Sequence, residues 1–264
     1  MDAAFLKPWV KFYEPGVPET VGIPTHTLDQ SLALAAKKYP DRTAIIFFDK
    51  KMTYRELDGA ATRFAAALQG LGVKKGDRVL LYLPNTPHFV IAFYGVLRAG
   101  GIIVPTNPQY VPRELAYQAS DSGAETIVAL TMSWNTIKEA QSQTPFKRVI
   151  LGNIKEYFPP LLKFLFTVAK EKKDGHRPDL RGEAGIYDFQ TLLQNDGALT
   201  PVKVEQEDVA VLGYTGGTTG VSKGAMLSHR NLAAQAMITL AWFPTRNRAR
   251  MSLWARCRSS TVSA

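Results

Sequence analysis

The feature that most constrains the fold is a regular alternation of short apolar segments with longer amphipathic segments over residues 28–151. Residues 126–130 form an apolar run of strand length, whereas residues 53–71 repeat their apolar side chains with helical spacing. Thr53 and Glu56 also predict a capping box at the start of that helix. Strands that alternate with helices predict a mostly parallel sheet with helices on both faces. The sequence therefore predicts an α/β fold.

The same patterns predict the order of the elements. Helices are expected over residues 28–38, 53–71, 87–99, 112–120 and 135–143, and strands over 43–48, 79–83, 101–104, 126–130 and 148–151. The periodicity weakens between residues 155 and 208, and core strands resume at Val209. No internal repeat is present.

Residues 214–224 carry the strongest functional signal, with the sequence Tyr-Thr-Gly-Gly-Thr-Thr-Gly-Val-Ser-Lys-Gly. Glycines allow positive φ angles and a close approach of backbone N–H groups to a ligand. Successive N–H groups in such a loop form a nest for anions. Threonine hydroxyls add donors, and Lys223 adds a positive charge suited to phosphate oxygens. The segment therefore predicts a phosphate-binding loop; the alternative is a glycine-rich surface turn with a solvated lysine.

The spacing differs from that of the common P-loop, in which lysine directly follows the last glycine and a helix begins. Here Lys223 comes three residues after Gly220, and residues 224–227 predict a strand. The loop is therefore expected to join two strands. In this arrangement it resembles the signature of the adenylate-forming superfamily, which includes acyl-CoA synthetases, luciferases and peptide-synthetase adenylation domains. The resemblance implies that the triphosphate of ATP is bound by Thr215, Gly216, Gly217, Thr218, Thr219, Gly220 and Lys223.

The resemblance extends over nearly all of residues 25–243. Met-Thr-Tyr-Arg-Glu-Leu at 52–57 and Met-Leu-Ser-His-Arg-Asn-Leu at 226–232 are similar to family text, and residues 105–115 look like a segment of fatty-acyl members. The closest likeness is to the N-terminal part of bacterial long-chain-fatty-acid–CoA ligases. It implies the incomplete large N-terminal domain of an enzyme that converts a fatty acid, ATP and coenzyme A to acyl-CoA through an acyl-adenylate, with Mg²⁺ as a partner of ATP.

Three segments are expected: an N-terminal extension over 1–27, a partial adenylation domain over 28–244, and an aberrant, disordered tail over 245–264. The tail holds five arginines and no acid, and without them the net charge falls from +9 to 9 − 5 = +4, so a nucleic-acid partner is not expected. A shifted reading frame over residues 254–261 permits Gly-Ala-Leu-Pro-Leu-Phe-His, close to a family motif. We therefore hypothesise a frameshift near residues 243–246, which the coding DNA would decide.

No catalytic or metal-binding residue is predicted within this chain. The family's remaining site elements would follow residue 243, so the 264-residue polypeptide alone is expected to be inactive. The four histidines, at 26, 88, 176 and 229, show no metal-ligand spacing. His229 is interpreted as structural, at the start of a helix capped by Ser228. The oligomeric state is not predicted.

A basic amphipathic insertion is expected near residues 155–183. Residues 157–173 are apolar and aromatic with flanking lysines. Such a segment either packs on its own protein or lies in a membrane interface. No run is long enough to cross a bilayer, no signal peptide is apparent, and the single cysteine excludes an intrachain disulfide, so a cytoplasmic protein with optional peripheral membrane contact is expected. The alternatives to an enzyme are a non-catalytic nucleotide-binding module and a membrane-associated binding protein.

Overall fold

A computed structural model describes residues 7–215 and 222–242 of the chain. Its strands are β1 (Thr43–Phe47), β2 (Lys50–Thr53), β3 (Arg78–Tyr82), β4 (Ile102–Pro105), β5 (Thr126–Leu130), β6 (Arg148–Gly152), β7 (Ile186–Asp188), β8 (Val209–Thr215) and β9 (Lys223–Ser228). Its α-helices are α1 (Leu28–Lys38), α2 (Tyr54–Gly70), α3 (Pro87–Arg98), α4 (Pro112–Ser122), α5 (Trp134–Ala140), α6 (Pro160–Ala169), α7 (Phe189–Leu192) and α8 (His229–Ala241).

Seven of the described strands form one sheet in the order β7-β6-β5-β3-β4-β8-β9. Neighbouring strands from β7 to β8 run parallel, and β9 is antiparallel to β8 at the edge. Strands β1 and β2 form a separate antiparallel hairpin. The prediction of a mostly parallel sheet is confirmed.

Strand β3 shows how the helices cover both faces of the sheet. Val79 and Leu81 belong to a core cluster with side chains of α2 and α3, whereas Leu80 and Tyr82 belong to a second cluster with side chains of α4 and α5. This alternation follows from the two-residue period of a strand. Strand β5 is buried at all five positions, as expected for a central parallel strand.

The predicted elements from 28 to 151 are present, with ends that differ by up to three residues. The capping box of α2 is confirmed: the Thr53 hydroxyl accepts from the Glu56 amide at 3.2 Å, and Glu56 accepts from the Thr53 amide at 2.7 Å. Apart from short 3-10 turns, three short elements among the described strands and α-helices were not predicted, namely β2, β7 and α7. They have three or four residues each, too few to show a period.

Candidate functional site

The candidate site lies at the loop end of the β8–β9 hairpin, which we call the hairpin mouth. Thr215 and Lys223 pair across the two strands at the point where the predicted phosphate loop begins and ends. The prediction that the loop joins two strands is therefore confirmed. Five of the predicted binding residues lie outside the described residues: Gly216, Gly217, Thr218, Thr219 and Gly220.

Helix α4 forms hydrogen bonds to the residues on both sides of the loop. The Tyr117 hydroxyl donates to the Ser222 carbonyl at 2.9 Å, and the Ser222 hydroxyl donates to the Thr215 carbonyl at 2.9 Å. The Tyr214 hydroxyl donates to Asp121 at 2.5 Å. Burial, and then the hydrogen bond to the Asp121 carboxylate, raise the pKa of Tyr214 far above its ordinary value of 10.0, so this donor stays protonated. Both ends of the loop are thus fixed to a rigid element.

The ammonium group of Lys223 is available to a ligand. The side chain is exposed, and no carboxylate in residues 7–215 or 222–242 forms an ion pair with it. Next to it, Gly224 pairs with Tyr214, and a Cβ atom at Gly224 would lie 3.0 Å from the Tyr214 ring. Gly224 therefore serves close packing of the hairpin, whereas Lys223 offers an unpaired positive charge at its mouth.

A second sequence motif lies beside the carboxyl ends of the same parallel strands. Residues 105–115 follow the carboxyl end of β4, which neighbours β8, and lead into α4. The Tyr82 hydroxyl donates to the Tyr110 carbonyl at 2.6 Å and fixes this segment to β3. Ligands of open parallel sheets bind at the carboxyl ends of the strands. The tertiary structure therefore brings together two motifs that are a hundred residues apart in sequence.

Sequence reasoning missed Tyr117 and Asp121, the two side chains of α4 that contact the hairpin. They stand four residues apart and so share one face of the helix. An aromatic and an acidic residue on a helix surface are ordinary, so no sequence signal distinguishes them.

His229 directly follows β9, at the end of the hairpin opposite the mouth. It is buried at the start of α8, and its Nδ1 accepts from the Leu28 amide at 3.2 Å. The Ser228 hydroxyl accepts from the Asn231 amide at 3.2 Å, which confirms the predicted cap. Within the described ranges, no three His, Cys, Asp or Glu side chains are grouped so that they could hold a metal ion.

Acidification is expected to destabilise the protein through His229. Burial is the main cause that lowers its pKa below the ordinary 6.5, with Lys75 contributing and Asp29 and Asp208 opposing. The unfolded chain therefore binds this proton at a higher pH than the folded chain, and stability falls as the pH drops below about 6.5. Thermal melting between about pH 7.5 and about pH 5.5 should show a smaller loss for His229→Gln than for the parent. An equal loss in both proteins would contradict this role.

A cavity of about 380 Å³ lies elsewhere, under the β1–β2 hairpin. Side chains that line it include Lys50, Arg63, Tyr157 and Gln190. It shares no lining residue with β8, β9 or α4, so it is separate from the candidate nucleotide site.

A mostly parallel sheet with a threonine- and glycine-rich segment between two strands is the arrangement expected of the adenylate-forming superfamily, and comparison with known proteins agrees. A family model described as AMP-binding enzyme matches residues 32–255. The chain belongs to this family, which confirms the resemblance to adenylate-forming enzymes.

Curated proteins that are similar in sequence to this chain include long-chain-fatty-acid–CoA ligases. The chain is 37% identical over 239 residues to the long-chain-fatty-acid–CoA ligase of Bacillus subtilis, covering 89% of this chain and 42% of the relative. It is 38% identical over 237 residues to the ligase of the same name from Escherichia coli O157:H7, covering 86% of this chain and 41% of the relative. The chain thus spans about two fifths of the length of these curated relatives.

Solved structures agree with the fold. A long-chain-fatty-acid-CoA ligase from Archaeoglobus fulgidus matches with a TM-score of 0.66 at 30% identity, covering 85% of this chain and 41% of that chain. An anthranilate CoA ligase in complex with anthranoyl-AMP matches with a TM-score of 0.64 at 22% identity, covering 78% and 35%, and this likeness concerns the fold alone.

Proposed function

We propose that the protein containing this chain activates a medium- to long-chain fatty acid with ATP and transfers the acyl group to coenzyme A. The observation that carries the proposal is the hairpin mouth, where Thr215 and the unpaired Lys223 face each other on two strands fixed by α4. The identity to long-chain-fatty-acid–CoA ligases supports the choice of substrate.

The proposed chemistry has two steps. A fatty carboxylate oxygen attacks the α-phosphorus of ATP. The bond between this phosphorus and the oxygen that bridges it to the β-phosphorus breaks, and pyrophosphate leaves. The thiol sulfur of coenzyme A then attacks the acyl carbon, gives up its proton, and AMP leaves. Negative charge develops on the departing pyrophosphate in the first step, so fixed donors and cations there lower the barrier.

Residues of this chain have a defined part in the first step. The hydroxyl of Thr215 and the N–H groups of residues 216–220 would hold the β- and γ-phosphates, and Lys223 would neutralise charge as pyrophosphate departs. Mg²⁺ bound to the triphosphate would neutralise further charge on the departing pyrophosphate.

Exchange of labelled pyrophosphate into ATP tests this function. A longer protein in which the reading frame is restored after residue 243, called the full-length protein here, is expected to catalyse exchange with medium- and long-chain fatty acids and to show little exchange with acetate or benzoate. The 264-residue chain alone should show none, because it spans about two fifths of its relatives. ATP binding without exchange by the full-length protein would favour a non-catalytic nucleotide-binding module instead, and a preference for acetate or benzoate would reject the fatty-acid assignment.

A further inference from the structure

The cavity under the β1–β2 hairpin has no part in the proposed ligase chemistry. We call it the β1–β2 cavity. Residues of the hairpin, of α2 and of the segment around α7 line it, and its volume is about 380 Å³. Pockets that hold small organic molecules in proteins usually measure about 300–1,000 Å³. The cavity is therefore large enough for a small organic ligand.

The hairpin supplies a mostly apolar wall. Ile45 pairs with Met52 across the two strands, Phe47 pairs with Lys50, and all four residues line the cavity. Cross-strand partners, and residues two positions apart in a strand, lie on the same face of a sheet. One face of the hairpin therefore offers three apolar side chains and one ammonium group to a ligand.

Helix α2 forms another wall and carries an unpaired cation. Glu56, Ala60 and Arg63 line the cavity, and their spacing of four and three residues places them on one side of the helix. The Glu56 carboxylate is occupied by the capping box, since it accepts from the Thr53 amide at 2.7 Å. The half-buried Arg63 guanidinium forms no ion pair or side-chain hydrogen bond within the described part of the chain. A partly buried charge is unfavourable without a partner, so this position favours a bound anion.

Tyr157 adds a neutral donor near this cation. Burial raises the pKa of Tyr157 to about 12, with Arg63 among the groups that oppose the rise, so the hydroxyl stays protonated and lies within reach of the Arg63 charge. The Tyr157 oxygen accepts from Gln190 Nε2 at 3.2 Å. In the ranges that the structure describes, no group accepts the proton of this hydroxyl. The Tyr157 hydroxyl is therefore free to donate to a ligand.

The Glu156 carboxylate does not line the cavity but fixes its polar groups. Its oxygens contact the Asn153 amide at 2.7 Å, Gln190 Nε2 at 2.9 Å and His88 Nε2 at 2.8 Å. These contacts hold Gln190, and through it the Tyr157 hydroxyl, in one position. The donors of the cavity are thus arranged before a ligand enters, which reduces the ordering cost of binding.

The charge of the lining selects the class of ligand. Three cations, Lys50, Lys51 and Arg63, and one carboxylate, Glu56, line the cavity, so the net charge of the lining is +2. Among the described residues none of the three cations forms an ion pair, and Lys50 Nζ donates to the Glu156 carbonyl at 3.4 Å. A phosphomonoester carries a charge of about −1.5 to −2 and three strong acceptor oxygens, whereas a carboxylate carries a single negative charge. The phosphomonoester therefore matches the lining better, and the apolar side chains suit an apolar organic part.

We propose that the β1–β2 cavity binds a phosphomonoester with an apolar aromatic or aliphatic organic part. The Arg63 guanidinium would donate to two phosphate oxygens, the Tyr157 hydroxyl would donate to the third, and Lys50 would neutralise the remaining charge. Phe47 and Met52 would contact the organic part. The cavity shares no lining residue with the β8–β9 hairpin, so the proposal does not depend on the ligase activity.

Isothermal titration calorimetry of the 264-residue chain tests the proposal with two probes, naphthyl phosphate and hexyl phosphate. We expect saturable binding of at least one ester, and the tighter of the two identifies an aromatic or an aliphatic organic part. The carboxylate of similar shape, naphthoate or heptanoate, should bind at least about tenfold more weakly than its ester. Inorganic phosphate, which lacks the organic part, should also bind at least about tenfold more weakly.

Two variants of α2 locate the site. Arg63→Met removes the guanidinium but keeps a long side chain, and it should weaken binding of the tighter ester about tenfold to a hundredfold. Arg55→Met makes the same change on the same helix, where the exposed Arg55 pairs with Asp41 outside the cavity, and it should bind the ester like the parent. Both variants should melt like the parent, because neither arginine belongs to the core.

Two further variants separate this cavity from the phosphate loop. Ala60→Leu fills the cavity without changing its charge and should weaken ester binding at least about tenfold. Lys223→Ala changes only the hairpin mouth, which the cavity does not reach, and should bind the ester like the parent.

Several results would overturn the proposal. These are no binding of either ester, binding of the carboxylate as tight as that of its ester, parental affinity in Arg63→Met, and an equal loss of affinity in Arg55→Met. Loss of the ester in Lys223→Ala together with its retention in Arg63→Met would also overturn it, because the ester would then occupy the phosphate loop.

Discussion

Replacing Lys223 by alanine in the full-length protein is expected to slow acyl-adenylate formation about a hundredfold, equivalent to roughly 3 kcal/mol of transition-state stabilisation. Lys223 is exposed at the mouth of the β8–β9 hairpin and has no ion-pair partner among residues 7–215 and 222–242, so its charge is available to pyrophosphate. Single-turnover measurement of acyl-adenylate formation, together with thermal melting, checks the effect. The melting temperature should not change, because the side chain contributes nothing to the core.

Two further variants test whether the positive charge at position 223 causes this effect. Lys223→Arg keeps the positive charge and should retain more activity than Lys223→Ala. Lys37→Ala removes a lysine from α1, which does not contact the hairpin mouth, and should leave the rate unchanged. If Lys223→Ala keeps the parental rate while ATP still binds, the lysine is a solvated surface residue and the proposed role is wrong.

Replacing Gly95 by leucine is expected to lower the free energy of unfolding by about 4 kcal/mol or more, a large part of a typical stability of about 5–15 kcal/mol. Gly95 is buried where α3 crosses α2. A Cβ atom there would lie 2.7 Å from the Phe64 ring and 3.1 Å from the Ala61 carbonyl oxygen. The Phe64 ring cannot yield easily, since it is fully buried and stacked on Phe189 at 4.9 Å.

The comparison of two alanine variants isolates this steric cause. Gly95→Ala should destabilise the protein by about 1–3 kcal/mol because its methyl group meets the same atoms. Gly59→Ala makes the same chemical change within α2, where the added atom meets only the flexible Arg63 side chain at 3.4 Å. It should stabilise by about 0.5–1 kcal/mol through helix propensity. Urea unfolding of both variants measures the difference, and equal effects would show that crowding at the helix crossing is not the cause.

The loop at residues 214–224 and its contacts with α4 differ in how well the sequence predicts them. The phosphate loop could be proposed from the sequence because such a site depends on local composition: glycines and threonines that lie close together in sequence, with a lysine nearby, can line a phosphate. The support from α4 was not predictable, because Tyr117 and Asp121 reach Ser222 and Tyr214 from about a hundred residues away. A hydrogen bond between distant segments leaves no periodic signal in either one.

Helix α6 shows a similar division between what the sequence predicts and what only the structure shows. The apolar and basic composition of residues 157–173 was visible in the sequence, but the same composition suits a helix packed on its own protein. The structure shows that Leu161, Phe164, Leu165 and Val168 of this segment are exposed, which composition alone does not predict. The positive φ angle of Phe48 was not predictable, because phenylalanine rarely adopts this turn conformation.

The sequence by itself determined the α/β class, the order of helices and strands over residues 28–151, and the family, because these follow from local periodicity, caps and consecutive motif residues. Only the tertiary structure decided the strand order, in which β3 lies between β5 and β4, and the antiparallel edge strand β9. It also decided that Gly95 must lack a side chain and that His229 joins α8 to α1. These properties arise from contacts between segments far apart in the chain, and local preferences do not encode such contacts.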